Sequence, residues 1–259
     1  MSAALPQRLA LTALEDADAV ARHVARELLV CRLAPDPQPL GLATGTTMVP
    51  VYRALAQAAA ALAHDQSQQL RRGWLSYNLD EYLGLGSSHP RSFAAFMGAR
   101  LIAPLQLQAS SVRLPDGLAA DPPAEAARYA AEIRAAGGIG LQLLGLGVNG
   151  HVGFNEPPCA ADSPCRPVQL SAATRRHNAA AFAGDPQAVP QRAITLGLAE
   201  ILAAERILLV VTGAAKAEVL RRLLRDPASD QLPASWLQQH PAVRVIADRA
   251  ALGASSGAP

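Results

Sequence analysis

The sequence predicts an α/β protein built on a doubly wound, mainly parallel sheet that is flanked by helices. Short apolar runs alternate along the chain with longer stretches whose apolar residues recur at helical spacing. Several of the apolar runs end in turns that contain glycine or acidic residues, and open parallel sheets bind ligands at such strand ends. No repeat, low-complexity tract or linker interrupts the sequence, so we expect one domain over residues 1–259.

The first half of the chain is predicted to contain two short buried strands and four helices. Apolar residues at 40–43 and 75–79 form short runs, and polar residues end each of them. A proline-rich segment separates the opening helix from the first strand. The helical patterns cover 11–33, 52–62, 92–102 and 123–136.

The second half is predicted to contain three more strands and two helices. Residues 157–190 between them are rich in proline, alanine and arginine and lack a strand pattern, so we expect a mobile helical lid there. The strands follow from apolar runs at 139–146, 206–211 and 243–247. The helices follow from apolar spacing at 193–203 and 214–224.

The composition argues against several classes of protein. The net charge is +2, from 23 basic and 21 acidic residues that are interspersed, and no basic stripe indicates a nucleic-acid surface. Glycine, glutamine or arginine interrupts the longer apolar stretches, so we expect no membrane span. Acidic residues near the N-terminus do not fit a secretory peptide. The three cysteines and the scattered histidines have no metal-ligand spacing, which predicts reduced thiols, a cytoplasmic location and no metal site.

Two turns at the ends of predicted strands are suited to hold a phosphate. Lys216 lies in one of them, where its ammonium can reach an anion bound at a neighbouring turn. The other precedes a helix, so backbone N–H groups and three hydroxyls converge there. That turn consists of Thr44, Gly45, Thr46 and Thr47. No Gly-Lys-Ser/Thr follows, which argues against a P-loop. A helix N-cap and a solvated lysine are the structural alternatives.

Two further segments carry groups that can transfer protons. Asp80 and Glu81 end a predicted strand, and repulsion between paired acids raises the pKa of one towards that of a general base. A capping aspartate beside a solvated glutamate is the structural alternative. The glycine-rich loop after the strand at 139–146 presents an amide, an imidazole and a carboxylate, a combination that forms proton relays near neutral pH. These groups belong to Asn149, His151 and Glu156.

Seven motifs with regular order extend over most of the chain, from about residue 40 to residue 248. They are LATGTT (42–47), YNLDEYLG (77–84), HPRSF (89–93), GLGVNGHVGFNEP (145–157), ITLG (194–197), TGAAK (212–216) and LQQHP (237–241). Together they resemble the glucosamine-6-phosphate deaminases. The related 6-phosphogluconolactonases share the fold but typically carry Asp-Glu-Arg and Gly-His-Thr. This chain has Asp-Glu-Tyr and Gly-His-Val, which favours the deaminases.

The resemblance implies a role for each candidate residue. Asp80 would move a proton between C2 and C1 of the opened amino sugar. His151, oriented by Glu156 and assisted by Asn149, would open the pyranose ring. The 6-phosphate would be held by Thr44, Gly45, Thr46, Thr47 and Lys216. The products would be fructose 6-phosphate and ammonia, and this proton shift requires neither a metal nor an organic cofactor.

Three positions depart from the pattern of the family. Asn149 stands where many members have aspartate. In the segment 178–182, where many members place an arginine on the substrate phosphate, residues 179–181 are alanines, and Arg175 or Arg176 is our candidate replacement. The basic cluster that binds an allosteric effector in some hexameric members is reduced to Arg166. We therefore expect a monomer or small homo-oligomer that N-acetylglucosamine 6-phosphate does not activate.

Other functions stay open at the level of the sequence. A galactosamine-6-phosphate deaminase/isomerase is the nearest, since residues 170–178 and 232–236 are similar to that branch and the substrates differ at one hydroxyl. A 6-phosphogluconolactonase is less favoured. A sugar-phosphate sensor would need a DNA-binding helix-turn-helix, and the segment before the first predicted strand contains only one helix.

Overall fold

The chain forms an α/β fold whose centre is a parallel sheet, as predicted. The computed structural model describes residues 9–253. The strands in this range are β1 (Ala10–Leu14), β2 (Leu40–Leu42), β3 (Ser76–Asn78), β4 (Asp80–Tyr82), β5 (Val112–Arg113), β6 (Leu141–Gly145), β7 (Arg166–Gln169), β8 (Arg192–Thr195), β9 (Arg206–Val211) and β10 (Val243–Asp248). Seven of them form the main sheet in the order β1-β10-β9-β6-β2-β3-β5, and every pairing is parallel.

Helices cover the main sheet. They are α1 (Ala17–Arg32), α2 (Met48–Ala60), α3 (His64–Arg72), α4 (Phe93–Met97), α5 (Ala103–Leu105), α6 (Pro122–Ala135), α7 (Ala172–Asn178), α8 (Leu198–Leu202) and α9 (Ala217–Arg225). Five consecutive residues of β9, from Ile207 to Val211, are at most 2% exposed. Because neighbouring residues of a strand face opposite sides, the sheet is buried on both faces. Within residues 9–253, no helix combines the length and apolarity needed to cross a bilayer.

The order of the strands creates a crevice in the middle of the sheet. From β2 the chain runs outward to β3 and β5, then returns through β6 and continues in the opposite direction to β9 and β10. The carboxyl ends of β2 and β6 therefore flank the point at which the winding reverses, and ligands of doubly wound sheets bind at this point.

A second, antiparallel sheet lies beside this crevice. Its strand order is β4-β8-β7, and Asp80 pairs with Thr195. Leu79 joins the two sheets, because its N–H donates to Leu42 O at 2.9 Å and its carbonyl accepts from Leu196 N at 2.7 Å. The small sheet carries an apolar cluster of its own. The buried members of that cluster are Tyr82, Phe154, Leu170, Ala179, Phe182, Val189 and Ala193.

Three of the predicted elements differ in the structure. The opening helix at 11–33 begins only at Ala17, because Asp16 caps it through Ala19 N at 2.7 Å and the residues before it pair with β10 as β1. The helix at 193–203 is divided into β8 and α8 at Gly197, where a side chain would collide with the backbone at 163–164. The segment 157–190 contains β7, although it lacks a strand pattern, as well as α7.

Candidate active site

A cavity of about 350 Å³ opens at the crevice between the carboxyl ends of β2 and β6. Turns that follow β2, β3, β6 and β9 line it, together with the segment 177–182 from α7 and the 3-10 turn Ala179–Phe182. We call residues 171–182 the cover segment. The cavity has the size of a small-molecule site. It brings together most of the predicted site residues, namely Thr44, Gly45, Thr46, Thr47, Asp80, His151 and Lys216.

The turn after β2 presents the start of α2 to this cavity. Gly45 has a φ of 101°, a backbone conformation that favours glycine, and it turns the chain from the strand into the helix. The hydroxyl of Tyr52 donates to Ala43 O and fixes the end of the strand. Within residues 9–253, the side chain of Thr47 makes no cap hydrogen bond to the helix it precedes. The first two helical N–H groups already donate to carbonyls of the turn, and the third helical residue is a proline, so the donors left for an anion are the N–H groups and hydroxyls of the turn itself.

Lys216 reaches the same cavity from the turn after β9. Gly213, with a φ of 88°, donates its N–H to both carboxylate oxygens of Asp248 at 3.0 Å. Asp248 ends the neighbouring strand β10 and so holds the turn that carries Lys216. Desolvation by burial lowers the pKa of Lys216. A bound anion would raise this pKa again, since an opposite charge favours the ammonium form.

The two adjacent carboxylates of β4 have separate environments. Glu81 accepts hydrogen bonds from Tyr82 N, Phe93 N and Ala94 N at 2.8–2.9 Å, so it caps the start of α4. Asp80 is 6% exposed and lines the cavity. The structural alternative for this pair was a capping aspartate beside a solvated glutamate. In the structure the glutamate is the capping residue, and the aspartate faces the cavity.

Asp80 is a candidate base because its charged form is disfavoured. Burial, and secondarily the charge of Glu81, raises the pKa of Asp80 to about 8. A carboxylate with a pKa near the working pH can both accept and return a proton. Its proximity to the glycine-rich loop is direct: a Cβ built on Gly153 would lie 3.6 Å from Asp80 Oδ2.

His151 is held in place by Asn149 and by a glycine beneath its ring. Asn149 Oδ1 lies 2.6 Å from His151 Nδ1 and also accepts from the backbone N–H of His151 at 3.3 Å. An amide oxygen can only accept, so the proton of the neutral ring resides on Nδ1 and Nε2 keeps a free lone pair. The ring lies against Gly147, where a Cβ would come within 2.3–2.4 Å of three ring atoms.

The protonation state of His151 follows from its surroundings. Desolvation lowers its pKa to about 4, against an opposing effect of the Glu156 charge, and the charges of Lys216 and His177 lower it further. The imidazole is therefore neutral at pH 7, the state in which Nε2 can take up a proton.

Glu156 does not contact the imidazole, contrary to the prediction that it orients His151. Its carboxylate accepts from the N–H of Ser171 at 3.0 Å, from the hydroxyl of Ser171 at 2.9 Å and from the hydroxyl of Thr174. These partners form the first turn of α7, where a helix favours negative charge. Glu156 thus connects the glycine-rich loop to the cover segment and influences His151 through its charge alone.

The structure also adds cavity residues that the sequence argument did not assign. Arg91, in the HPRSF motif, and His177, in α7, line the cavity, whereas neither Arg175 nor Arg176 does. Position within a motif was the one feature of the sequence that could have indicated Arg91. Between residues 9 and 253, no group of three His, Cys, Asp or Glu side chains is arranged to hold a metal ion.

The family of the chain follows from comparison with known proteins. Residues 12–246 match the model of the family described as glucosamine-6-phosphate isomerases/6-phosphogluconolactonase. The chain belongs to this family. The glucosamine-6-phosphate deaminase of Rhodopirellula baltica is 45% identical over 212 residues, which is 82% of each chain. That of Shewanella loihica is 41% identical over 242 residues, 92% of this chain and 87% of the relative.

Solved structures of the glucosamine-6-phosphate isomerase/6-phosphogluconolactonase family have the same fold. A monomeric glucosamine-6-phosphate deaminase is 34% identical with a TM-score of 0.88, covering 95% of this chain and 100% of that one. The 6-phosphogluconolactonase from Trypanosoma cruzi has a TM-score of 0.73 at 16% identity and covers 97% of this chain and 98% of its own. The second similarity shows the shared fold alone.

The contact of His151 with Gly147 gives a test of the site. We expect Gly147→Ala to lower kcat by about 100-fold, because the new methyl group displaces the ring by about 1 Å or more. Circular dichroism checks that the variant stays folded. Gly98→Ala is the control, since a Cβ there meets nothing within 4 Å. Equal activity of Gly147→Ala and the wild type would contradict the assignment of His151.

Proposed function

We propose that this chain converts glucosamine 6-phosphate and water to fructose 6-phosphate and ammonia. The observation that carries the proposal is the position of Asp80, a buried carboxylate with a raised pKa that faces the loop of His151 in one cavity. Relatives of 45% and 41% identity that cover most of the chain are named for this activity. The same cavity contains a cation and a helix start, as a sugar phosphate requires.

The phosphate is the anchor of the substrate in this proposal. The backbone N–H groups and hydroxyls of the turn after β2 hold it together with the ammonium of Lys216. These ligands are Thr44, Gly45, Thr46, Thr47 and Lys216. Fixing one end of the sugar in this way orients C1 and C2 towards the acid/base groups and removes entropy from the reaction.

Ring opening is assigned to His151. Its free Nε2 takes the proton of the C1 hydroxyl and returns it to the ring oxygen, which breaks the bond between C1 and that oxygen. Asn149 keeps the other ring nitrogen protonated and so leaves Nε2 unprotonated for this step. Glu156 supports the transient imidazolium with its charge and keeps the cover segment attached.

Isomerisation is assigned to Asp80. The carboxylate removes the proton from C2, the C1 oxygen takes a proton from the ammonium group on C2, and an enolamine with a C1–C2 double bond results. Asp80 then returns its proton to C1, which leaves an iminium group at C2. Water adds to that carbon and ammonia leaves, so C2 becomes the ketone of fructose 6-phosphate. The reaction is thus an isomerisation coupled to deamination, and water enters only in its last part.

Two finer assignments belong to the proposal. A monomer is supported by the similarity to a monomeric deaminase, and light scattering that gives about one chain mass of 27.0 kDa is the check. A cytoplasmic location is supported by the free state of Cys31, Cys159 and Cys165, because unpaired thiols are typical of reducing compartments.

Replacement of the base tests the reaction. We expect wild-type protein to release ammonia from glucosamine 6-phosphate in a coupled assay, and Asp80→Asn to lower kcat by about two to four orders of magnitude, since the amide cannot accept the proton. Asp65→Asn, at an exposed aspartate of α3, is the matched control. Unchanged activity of Asp80→Asn would remove Asp80 from the mechanism. Faster turnover of galactosamine 6-phosphate would replace the proposed substrate by its C4 epimer.

The pKa of Asp80 sets the expected dependence on pH. Because its pKa is raised to about 8, the free enzyme holds the inactive carboxylic acid below that pH. We expect kcat/KM to rise with pH and to level off above about 8. Fructose 6-phosphate lacks the amine, so the pH dependence of its inhibition constant reports titration of the enzyme without titration of the substrate amine. A kcat/KM that is flat between about pH 6 and 9 would contradict the assignment.

A further inference from the structure

Arg91 lies against an aromatic platform at the edge of the cavity. Its guanidinium carbon is 5.3 Å from the centroid of the Phe182 ring. Phe182 belongs to the cover segment, is 2% exposed, and packs edge-to-face on Tyr82 with ring centroids 5.7 Å apart. Because the platform is buried in the apolar cluster of the small sheet, it limits the orientations available to the guanidinium.

Among the described residues, the polar edge of this guanidinium has neither a hydrogen-bond partner nor an ion-pair partner. The backbone N–H of Arg91 donates to His89 Nδ1 at 3.2 Å and fixes the start of the side chain. For the guanidinium itself, the ring of Phe182 is the contact that the structure gives within residues 9–253, with neither a hydrogen bond nor an ion pair. A guanidinium whose only such contact is a ring keeps its N–H donors for a bidentate anion.

The charge of the ligand supplies the reason for a second cation. A phosphate ester carries a charge of about −1.5 to −2 near pH 7, and the ammonium of Lys216 balances only part of it. The cover segment contributes the small side chains of Ala180 and Ala181 to the lining. Arg91 and Lys216 are the arginine and the lysine of the described cavity lining, and the guanidinium of Arg91 stays charged at any working pH.

We propose that Arg91 is a ligand of the substrate phosphate and that Phe182 is its positioning residue. This inference rests on the proposed function for the identity of the sugar phosphate, but the phosphate itself is the group that Arg91 recognises. The anion is then held by Lys216 and the turn after β2, and by Arg91 next to the cover segment. Binding of the phosphate also ties the HPRSF loop to the cover segment through the Phe182 contact.

Direct binding measurements test this assignment without the need for turnover. Isothermal titration with inorganic phosphate and with fructose 6-phosphate compares wild type, Arg91→Gln, Arg91→Lys and Arg72→Gln. We expect Arg91→Gln to weaken both ligands by about 10- to 100-fold, as for loss of a charged hydrogen-bond pair. Arg91→Lys restores only part of the affinity, because an ammonium is not bidentate. Arg72, an exposed residue of α3 outside the cavity lining, is the control whose replacement leaves affinity unchanged.

Kinetics with the same variants separate phosphate binding from other roles. We expect Arg91→Gln to raise KM by the same factor with kcat within a few-fold of wild type, because the phosphate is held equally in the ground and transition states. Unchanged affinity for inorganic phosphate in Arg91→Gln would overturn the proposal, whether or not kcat falls. If the wild type is active and Arg91→Gln binds phosphate with unchanged affinity, the deaminase function stands and only the role of Arg91 is rejected. If the wild type is inactive but its phosphate affinity falls on replacement of Arg91, the deaminase function is rejected and Arg91 stays assigned as a phosphate ligand.

The role of Phe182 has its own readout. Phe182→Leu keeps an apolar residue but removes the ring face, so we expect a smaller loss of phosphate affinity, about 3- to 10-fold. The same change in an Arg91→Gln background is expected to cause no further loss. Equal losses in the two backgrounds would show that Phe182 acts through packing of the cover segment and would overturn its positioning role. Thermal unfolding of each variant confirms that a folded protein is being compared.

Discussion

The pairing of β4 with β8 carries Asp80 away from the main sheet and into the lining of the cavity. Successive side chains of a strand face opposite sides, so the same pairing directs Glu81 to the start of α4. Two neighbouring carboxylates are thereby separated in role, one satisfied by three backbone N–H groups and the other left for chemistry. The charge of the first still raises the pKa of the second. A structural cap and a candidate base thus depend on one short strand.

The electrostatics of the cavity indicate an anionic ligand. Burial disfavours the charge on Asp80, His151 and Lys216 alike, so the cavity combines a carboxylic acid, a neutral imidazole and an ammonium whose desolvation is unfavourable. A phosphate would stabilise the ammonium while its sugar meets the other two groups. Glu156 attaches the cover segment to the loop that bears the imidazole, and the mobility predicted for the lid at 157–190 stays a prediction.

Much of the fold and of the site could be predicted from the sequence because parallel strands place their carboxyl ends at one edge. The apolar runs that became β6 and β9 located the loop of His151 and the turn of Lys216, and the short run of β2 located Thr44 to Thr47. The small antiparallel sheet was missed, since its strands are only three or four residues long and β4 pairs with β8 more than a hundred residues away. Glu156 was assigned to the wrong neighbour for a similar reason: proximity in sequence suggested His151, but its partners come from α7.

The central claim is that a phosphate bound at the turn after β2 and at Lys216 places the sugar carbons beside Asp80. A crystal structure of the Asp80→Asn variant with glucosamine 6-phosphate measures this geometry directly, because the slow variant preserves the substrate. The account predicts the phosphate within hydrogen-bonding distance of the turn at Thr44–Thr47 and of Lys216, and C2 about 3–3.5 Å from the side chain at position 80. A phosphate bound elsewhere, or C2 turned away from that side chain, would contradict it.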